Sequence, residues 1–297
     1  MSTRTLAYSE QVAAIAQPLH AVSTMISTEK PGLVDSLQHP LAVLIRQVLS
    51  RQGRQELNLI LIDDEENLIQ ALDAGVQIHS VYFSGSEVLS EKLMKKLPRG
   101  IPVYEVARRT CKKLFENDRI SRIFAIARTP ASQHLGSLLE DVRDIVALED
   151  LTISGNIGAI VRTCVAFGIG GIVLLNTEPV DVYDRRIIRA SRGHIFSLPV
   201  VTATTEELIR FCRQNDLPVL IMSAQADRWV GEAAAFPGPF AIAFGSEKDG
   251  CSQLLMNAAA MQVQIPTDAR VESLNVSTTA GIMLYNRLWF NHPEARK

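Results

Sequence analysis

The sequence predicts an α/β protein of two domains, and three observations carry that reading. Short apolar runs alternate with stretches of helical spacing along most of the chain, as strands separated by helices do. In the second half those runs are near-continuous, which marks strands buried on both faces of a parallel sheet. A length of 297 residues suits two domains at about 100–200 residues each.

Residues 1–55 read as a polar, helical N-terminal extension punctuated by Pro18, Pro31-Gly32 and Pro40. Residues 56–128 read as a small α/β domain. A buried strand over 57–63 opens it. A helix over 66–76 follows, with Leu68, Ile69, Leu72 and Val76 at helical spacing and Gly75 where a left-handed cap is wanted. A strand over 78–84, a helix over 90–97 stopped by Pro98 and Gly100, and a strand over 101–106 continue the alternation. Residues 129–143 read as a linker. In 144–297, strands over 144–151, 170–176, 217–223, 240–245 and 261–266 are separated by helical stretches, one of them 155–168. A long apolar-rich helix covers 276–290.

Composition removes several function classes. Apolar residues make up 47% and charged residues 21%, which excludes a disordered chain. The formal net charge is −2, so a nucleic-acid partner needs a local patch. Segment 92–128 offers one, with eleven basic residues against three acidic ones. It is either a solvated surface or a phosphate-tracking face. Cys111, Cys164, Cys212 and Cys251 lie far apart, which removes a CxxC redox pair, a zinc ribbon and a disulfide-dense scaffold. The six histidines are scattered, without metal-ligand spacing, so no metal is expected. Dinucleotide, ATP and serine-hydrolase chemistries lack their GxGxxG, Walker and GxSxG signatures. The N-terminal residues hold no long apolar stretch, and no run reaches the roughly 18–20 residues of a membrane span. The chain therefore reads as soluble and cytoplasmic.

Four constellations remain. In Gly155-Asn156-Ile157-Gly158 through Arg162, Asn156 suits a helix N-cap and Gly158 admits close approach of another backbone. Phe244 through Gly250 ends a strand in a turn holding Ser246, Glu247 and free N–H groups. Glu272-Ser273-Leu274-Asn275-Val276-Ser277 brings polar groups to the entry of the last helix. Turns after strands are where α/β folds place ligands. In the fourth, Arg185, Arg189 and Arg192 fall on one face if 184–193 is helical, as a solvated face or a stripe meeting phosphates.

The ordered triple NxGxxxR at 156–162, FGSEKDG at 244–250 and SLNVS at 273–277 resembles the three motifs of the SPOUT methyltransferases. More narrowly it resembles the SpoU-type RNA ribose 2′-O-methyltransferases, over roughly residues 140–290. The wording GNIGAIVRT, DRRIIRASRGHIFSLPVV and ESLNVS is closest to the thiostrepton-resistance 23S rRNA (adenosine 2′-O) methyltransferases. IFAIAR at 123–128 matches that group's interdomain segment.

The resemblance implies a C-terminal SPOUT domain with a parallel sheet and a deep trefoil knot, plus a smaller N-terminal ribosomal-protein-like RNA-binding domain. It implies S-adenosyl-L-methionine bound by the loops 244–250 and 264–277, with Gly245, Ser246, Ile265, Leu274 and Ser223 at the pocket. It also implies a homodimer, an RNA substrate gripped by the basic stretch with Lys112 and Lys113, and RNA contacts by Arg185, Arg189 and Arg192. Arg162 stands at the reaction centre as base or organiser. A guanidinium titrates above about 12, so electrostatic stabilisation of the reacting oxygen suits it better. Asn156 fixes Arg162 or the RNA, Glu247 orients the arginine or the loop, and Asn275 with Ser273 completes the pocket floor. A tRNA ribose methyltransferase and a non-catalytic RNA-binding protein of the same fold stay open as alternatives. So do antibiotic self-resistance and housekeeping as roles.

Overall fold

A computed structural model describes residues 32–116, 118–139, 143–176, 181–271 and 273–291. The expectation for residues 1–31, and Glu272 of the third motif, lie outside them.

The first domain runs β1 (Leu33–Val34), α1 (Pro40–Leu49), α2 (Arg51–Leu57), β2 (Leu59–Asp63), α3 (Glu65–Asp73), β3 (Ile78–Ser84), α4 (Glu91–Lys96), β4 (Val103–Val106), α5 (Arg108–Leu114) and β5 (Ile123–Arg128). Its sheet has the order β1-β4-β3-β5-β2. β1, β4 and β3 are parallel, while β5 runs antiparallel between β3 and β2. Two expectations are corrected here. Residues 32–55 are no extension: β1 closes one edge of the sheet, and Leu41, Ile45 and Val48 of α1 bury one stripe against Tyr82 and Phe124. That i, i+4, i+7 spacing is an amphipathic signature hidden by the surrounding prolines. Segment 123–128, matched above to an interdomain segment, is an interior strand of this sheet.

The second domain runs β6 (Ile145–Glu149), α6 (Ser154–Ala166), β7 (Gly171–Leu175), α7 (Arg185–Ala190), β8 (Val200–Ala203), α8 (Thr205–Gln214), β9 (Val219–Met222), β10 (Arg228–Trp229), α9 (Val230–Ala234), β11 (Ala241–Phe244), α10 (Gln253–Ala258), β12 (Met261–Gln264) and α11 (Val276–Asn291). The seven strands are all parallel, in the order β10-β12-β9-β11-β6-β7-β8. Both faces are covered, and period-two alternation divides each strand between them. On β6, Val146 and Leu148 join α6 and α11, while Ile145 and Ala147 join α8 and α10. After β9 the chain crosses to set β11 beside β6, then crosses back to set β12 on the far side of β9. The C-terminal ends of β9, β11 and β12 are thereby neighbours.

The two domains share a continuous apolar core, in which Ile62 and Ala125 join Ile157 and Ile188. A buried ionic cluster lies within it. Asp63 is 1% exposed and accepts from Arg185 Nε at 2.7 Å and Arg189 Nη1 at 2.8 Å. Arg185 also donates to the Arg119 carbonyl at 2.9 Å and lies 4.6 Å over the Phe115 ring. Arg189 reaches Asp118 at 3.1 Å. Arg54 of α2 pairs with Asp181 at 2.7 Å and Asp184 at 3.5 Å. Arg185 and Arg189 therefore do not form an RNA-facing stripe: the first domain's carboxylates neutralise them. Arg192 is not on that helix, which ends at Ala190; its φ is +51°. Its exposed guanidinium lies 3.5 Å from Glu66. Next to it, Gly193 has φ +78°, and a Cβ there would stand 3.0 Å from the Asn67 Cα.

Candidate functional site

The three motif segments meet through one chain of side-chain amides. Asn275 precedes α11, and its Oδ1 accepts from Ser277 N at 2.9 Å and Ser277 Oγ at 2.6 Å. That is the capping geometry which satisfies free N–H groups in a first helical turn. With Oδ1 engaged, Asn275 Nδ2 donates to Asn156 Oδ1 at 3.2 Å. Asn156 Nδ2 then donates to Glu247 Oε1. Each amide's orientation follows from the one before it, so the order of donors is internally consistent. Asn156 lies in the first turn of α6, whose N-cap is Ile153. The N-cap expectation for Asn156 is corrected, because its side chain serves the neighbouring loops instead of its own helix end.

Glu247 sits on a turn that closes on itself. Ser246 O accepts from Gly250 N at 3.0 Å, and Ser246 Oγ accepts from Asp249 N at 3.1 Å. The crossing is too tight for any side chain at Gly245, since a Cβ there would lie 2.0 Å from the Gly250 carbonyl carbon. Beyond the pair Ile221–Ala243, β9 and β11 separate. Gly245 N–H, the next donor in that ladder, bonds no described residue. The Leu274 N–H is likewise unengaged among the described residues. Ile265 and Leu274 are half-buried apolar groups on the loop after β12. Ser223 directly follows β9, with its N–H on Val263 O at 2.9 Å and its Oγ accepting from Gln225 N at 3.3 Å. Ser273 is exposed.

Arg162 projects from α6, exposed, and bonds none of Asn156, Glu247 or Asn275. The close approach expected at Gly158 is present: a Cβ there would meet Ala190 Cβ at 2.4 Å and Ser191 N at 2.8 Å. α6 and α7 thus touch backbone to backbone. Asp150, directly after β6 with φ +55°, has its carboxyl raised above the usual range. Partial desolvation is the main cause, helped by the nearby charges of Glu149 and Asp249. Glu149 itself is fully buried, its oxygens held by Thr205 and Ser252. It was missed in sequence, where the available signal was a carboxylate closing an otherwise apolar strand.

On the first domain, Lys112 and Lys113 of α5 are exposed and pair with no carboxylate among the described residues. Other members of the basic stretch are engaged: Lys95 with Glu91 at 3.2 Å, Arg122 with Glu87 at 3.0 Å and Lys96 with Asp73. The inner face of α11 serves its own chain, with Val276, Ala280, Met283 and Leu284 in the core. Its outer face shows Tyr285 and Trp289, exposed and stacked at 6.2 Å between ring centroids. No helix among the described residues is long and apolar enough to cross a membrane.

Comparison with known proteins agrees with this geometry. Residues 144–285 match the SpoU rRNA Methylase family, and residues 31–141 match the family described as Thiostrepton-resistance methylase, N terminus. The chain is 36% identical over 258 residues to a 23S rRNA (adenosine(1067)-2′-O)-methyltransferase of Streptomyces azureus, covering 86% of this chain and 96% of that one. Among solved structures, an RNA 2′-O ribose methyltransferase superposes with a TM-score of 0.76 at 28% identity, over 88% of this chain and 99% of the other. An AdoMet-bound rRNA methyltransferase from Sinorhizobium meliloti gives 0.73 at 26% identity, over 86% and 97%. Two matched families that together cover nearly all of the described chain, with a relative aligned over both domains, make one conclusion firm: the chain belongs to the SpoU rRNA methylase family and carries the N-terminal domain of its thiostrepton-resistance branch.

Proposed function

We propose that this protein transfers a methyl group from S-adenosyl-L-methionine to a ribose 2′-hydroxyl of RNA, with an adenosine of 23S rRNA as the target. The observation that carries the reading is the convergence of Asn156, Glu247 and Asn275 from three distant segments at the C-terminal ends of parallel strands. The Streptomyces azureus relative's named activity supports the substrate class, and the bound AdoMet of the Sinorhizobium meliloti protein supports the donor.

The residues present fit that donor. Unengaged N–H groups at Gly245 and Leu274 suit the edge of an adenine, and half-buried Ile265 and Leu274 suit its faces. When bound, S-adenosyl-L-methionine supplies a methyl carbon activated by an adjacent sulfonium. The chain's own residues do the rest. Asn156, held from both sides, fixes the start of α6, and Glu247 is held over it. Orientation of this kind contributes up to roughly 7–11 kcal/mol of a barrier. Arg162 has no partner among the described residues and is available to the RNA. Its cation beside the ribose favours alkoxide character at the attacking oxygen, which is electrostatic stabilisation, and the proton leaves to water. Ser246 and Ser223 border the donor, and Ser273 completes the floor.

The finer readings follow. The double crossing around β9 supports a trefoil knot in the C-terminal domain, and the exposed Tyr285–Trp289 face supports a homodimer through α11. Lys112, Lys113 and Arg192 contact RNA. The protein works in the cytoplasm, where it confers resistance to thiopeptide antibiotics. The test is transfer of labelled methyl from S-adenosyl-L-methionine to 23S rRNA fragments, with the modified ribose mapped by its resistance to alkaline hydrolysis. Label on an adenosine ribose is the expected result. Label only on tRNA redirects the substrate, and donor binding without transfer reduces the protein to an RNA-binding one.

A further inference from the structure

The last residue of β6 is a carboxylate in a place where the strand's other members are apolar. Glu149 is 0% exposed, beside Ile145, Val146, Ala147 and Leu148. No Lys or Arg pairs with it among the described residues. Three neutral donors hold it instead. Ser252 grips it twice, its N–H on Oε2 at 2.7 Å and its hydroxyl on Oε1 at 2.8 Å. The Thr205 hydroxyl donates to Oε1 at 2.6 Å. Thr205 is in turn tied to Asn176, whose Nδ2 donates to Thr205 Oγ1 at 2.9 Å and whose Oδ1 accepts from Thr205 N at 3.3 Å. Buried carboxylates are costly unless their lone pairs are met, so this one needs a purpose that packing does not supply.

Its position supplies one. Ser252 is the N-cap of α10, where its Oγ also accepts from Leu255 N at 3.3 Å. It lies two residues after Gly250, whose backbone crosses Gly245. One carboxylate therefore joins the C-terminal ends of β6, β7 and β8 to the far end of the turn that presents Gly245 N–H and holds Glu247 on Asn156. The near end of that turn is fixed by β11. Without Glu149 the far end keeps the α10 cap and the Gly250 N–H bond to Ser246 O but loses its tie to the ends of β6, β7 and β8.

We infer that Glu149 is a positioning residue for the methyl-donor loop: through Ser252 it holds the 245–252 turn in its binding shape before the donor arrives. The inference rests on the donor assignment above. Glu149→Gln keeps the volume but leaves one acceptor oxygen where there were two, so Ser252 can no longer donate through both its N–H and its hydroxyl.

The experiment uses the full chain and S-adenosyl-L-homocysteine as probe. Calorimetry is expected to show roughly tenfold weaker binding for Glu149→Gln. The KM for the methyl donor rises in step while the KM for RNA stays. Hydrogen exchange of the unliganded variant speeds up at residues 246–252, with the first domain unchanged. Wild-type affinity and wild-type loop exchange in folded Glu149→Gln overturn the inference. If Glu149→Gln does not fold, Ser252→Ala alone decides it: roughly threefold weaker binding with faster loop exchange supports it, and no change in either overturns it. A wild-type protein that fails to bind S-adenosyl-L-homocysteine sinks the donor assignment instead, and loop exchange still judges the positioning.

Discussion

Arg185 and Arg189 on α7 and Lys112 and Lys113 on α5 look alike as sequence, since each pair sits on a short helix in a basic run. In the folded chain their surroundings are opposite. Arg185 is buried and Arg189 half-buried against Asp63 and Asp118 at 2.7 to 3.1 Å, whereas the lysines stand exposed and unpaired among the described residues. Spacing identifies a face, and what the face meets depends on another domain. Asp63 and Asp118 are more than a hundred residues distant in part and were invisible as partners. A cation's availability to RNA is therefore a property of the assembled pair of domains and not of the motif.

That contrast can be pressed experimentally, beginning where the effect is largest. Arg162 is the extreme of the available class, exposed and bonded to none of the motif side chains. Arg162→Ala is expected to lower kcat by a factor of about 10² or more with the melting temperature unchanged. Full turnover in that variant places Arg162 with the bystanders. Arg185 is the extreme of the consumed class. Arg185→Ala leaves Asp63 buried without its nearest cation and should destabilise the protein by about 3–5 kcal/mol, measured by denaturant unfolding. A stable variant with weakened RNA binding would return Arg185 to the RNA face.

Smaller effects sharpen the same line. Lys112→Glu with Lys113→Glu should leave stability intact, weaken RNA binding and reduce the slope of log affinity against log salt by about 1 to 2. An unchanged slope makes α5 an ordinary solvated helix. Acid titration separates the carboxylates. Asp118 is partly desolvated, which raises its carboxyl, but the Arg119 N–H and the cations of Arg185 and Arg189 outweigh that and hold it below its ordinary 3.8. A folded value below the unfolded one contributes stability above pH 3.8 that is lost as pH falls through the lower folded value. Asp118→Asn should therefore flatten the loss of thermal stability on the acid side of pH 3.8, read from melting temperatures across that window. An identical acid profile removes Asp118 from the ionic cluster's energetics.

Much of the architecture was legible because burial leaves a periodic trace. The strand over 78–84 and the helix starting at Val276 coincide with the observed elements, and the near-continuous apolar runs announced a parallel sheet. What escaped was short or polar. β10 is two residues at the sheet edge, and β8 follows a proline. α1 carries a clear apolar stripe, yet Pro31 and Pro40 made its surroundings read as an appendage. Within the site, residue types and order pointed to Asn156, Glu247 and Asn275, because a ligand turn needs polar groups at fixed places. The hydrogen bonds that join them, and Glu149 beneath, could not be read, since a pairing across 91 or 119 positions leaves no periodicity.

The bare face of Gly158 has one more consequence. With no side chain between them, α6 and α7 form a single stiff lever. One arm carries the guanidinium of Arg162, and the other is bolted through Arg185 and Arg189 into the first domain. If the first domain grasps RNA as proposed, that RNA would be presented to the arginine at an attitude set by this contact.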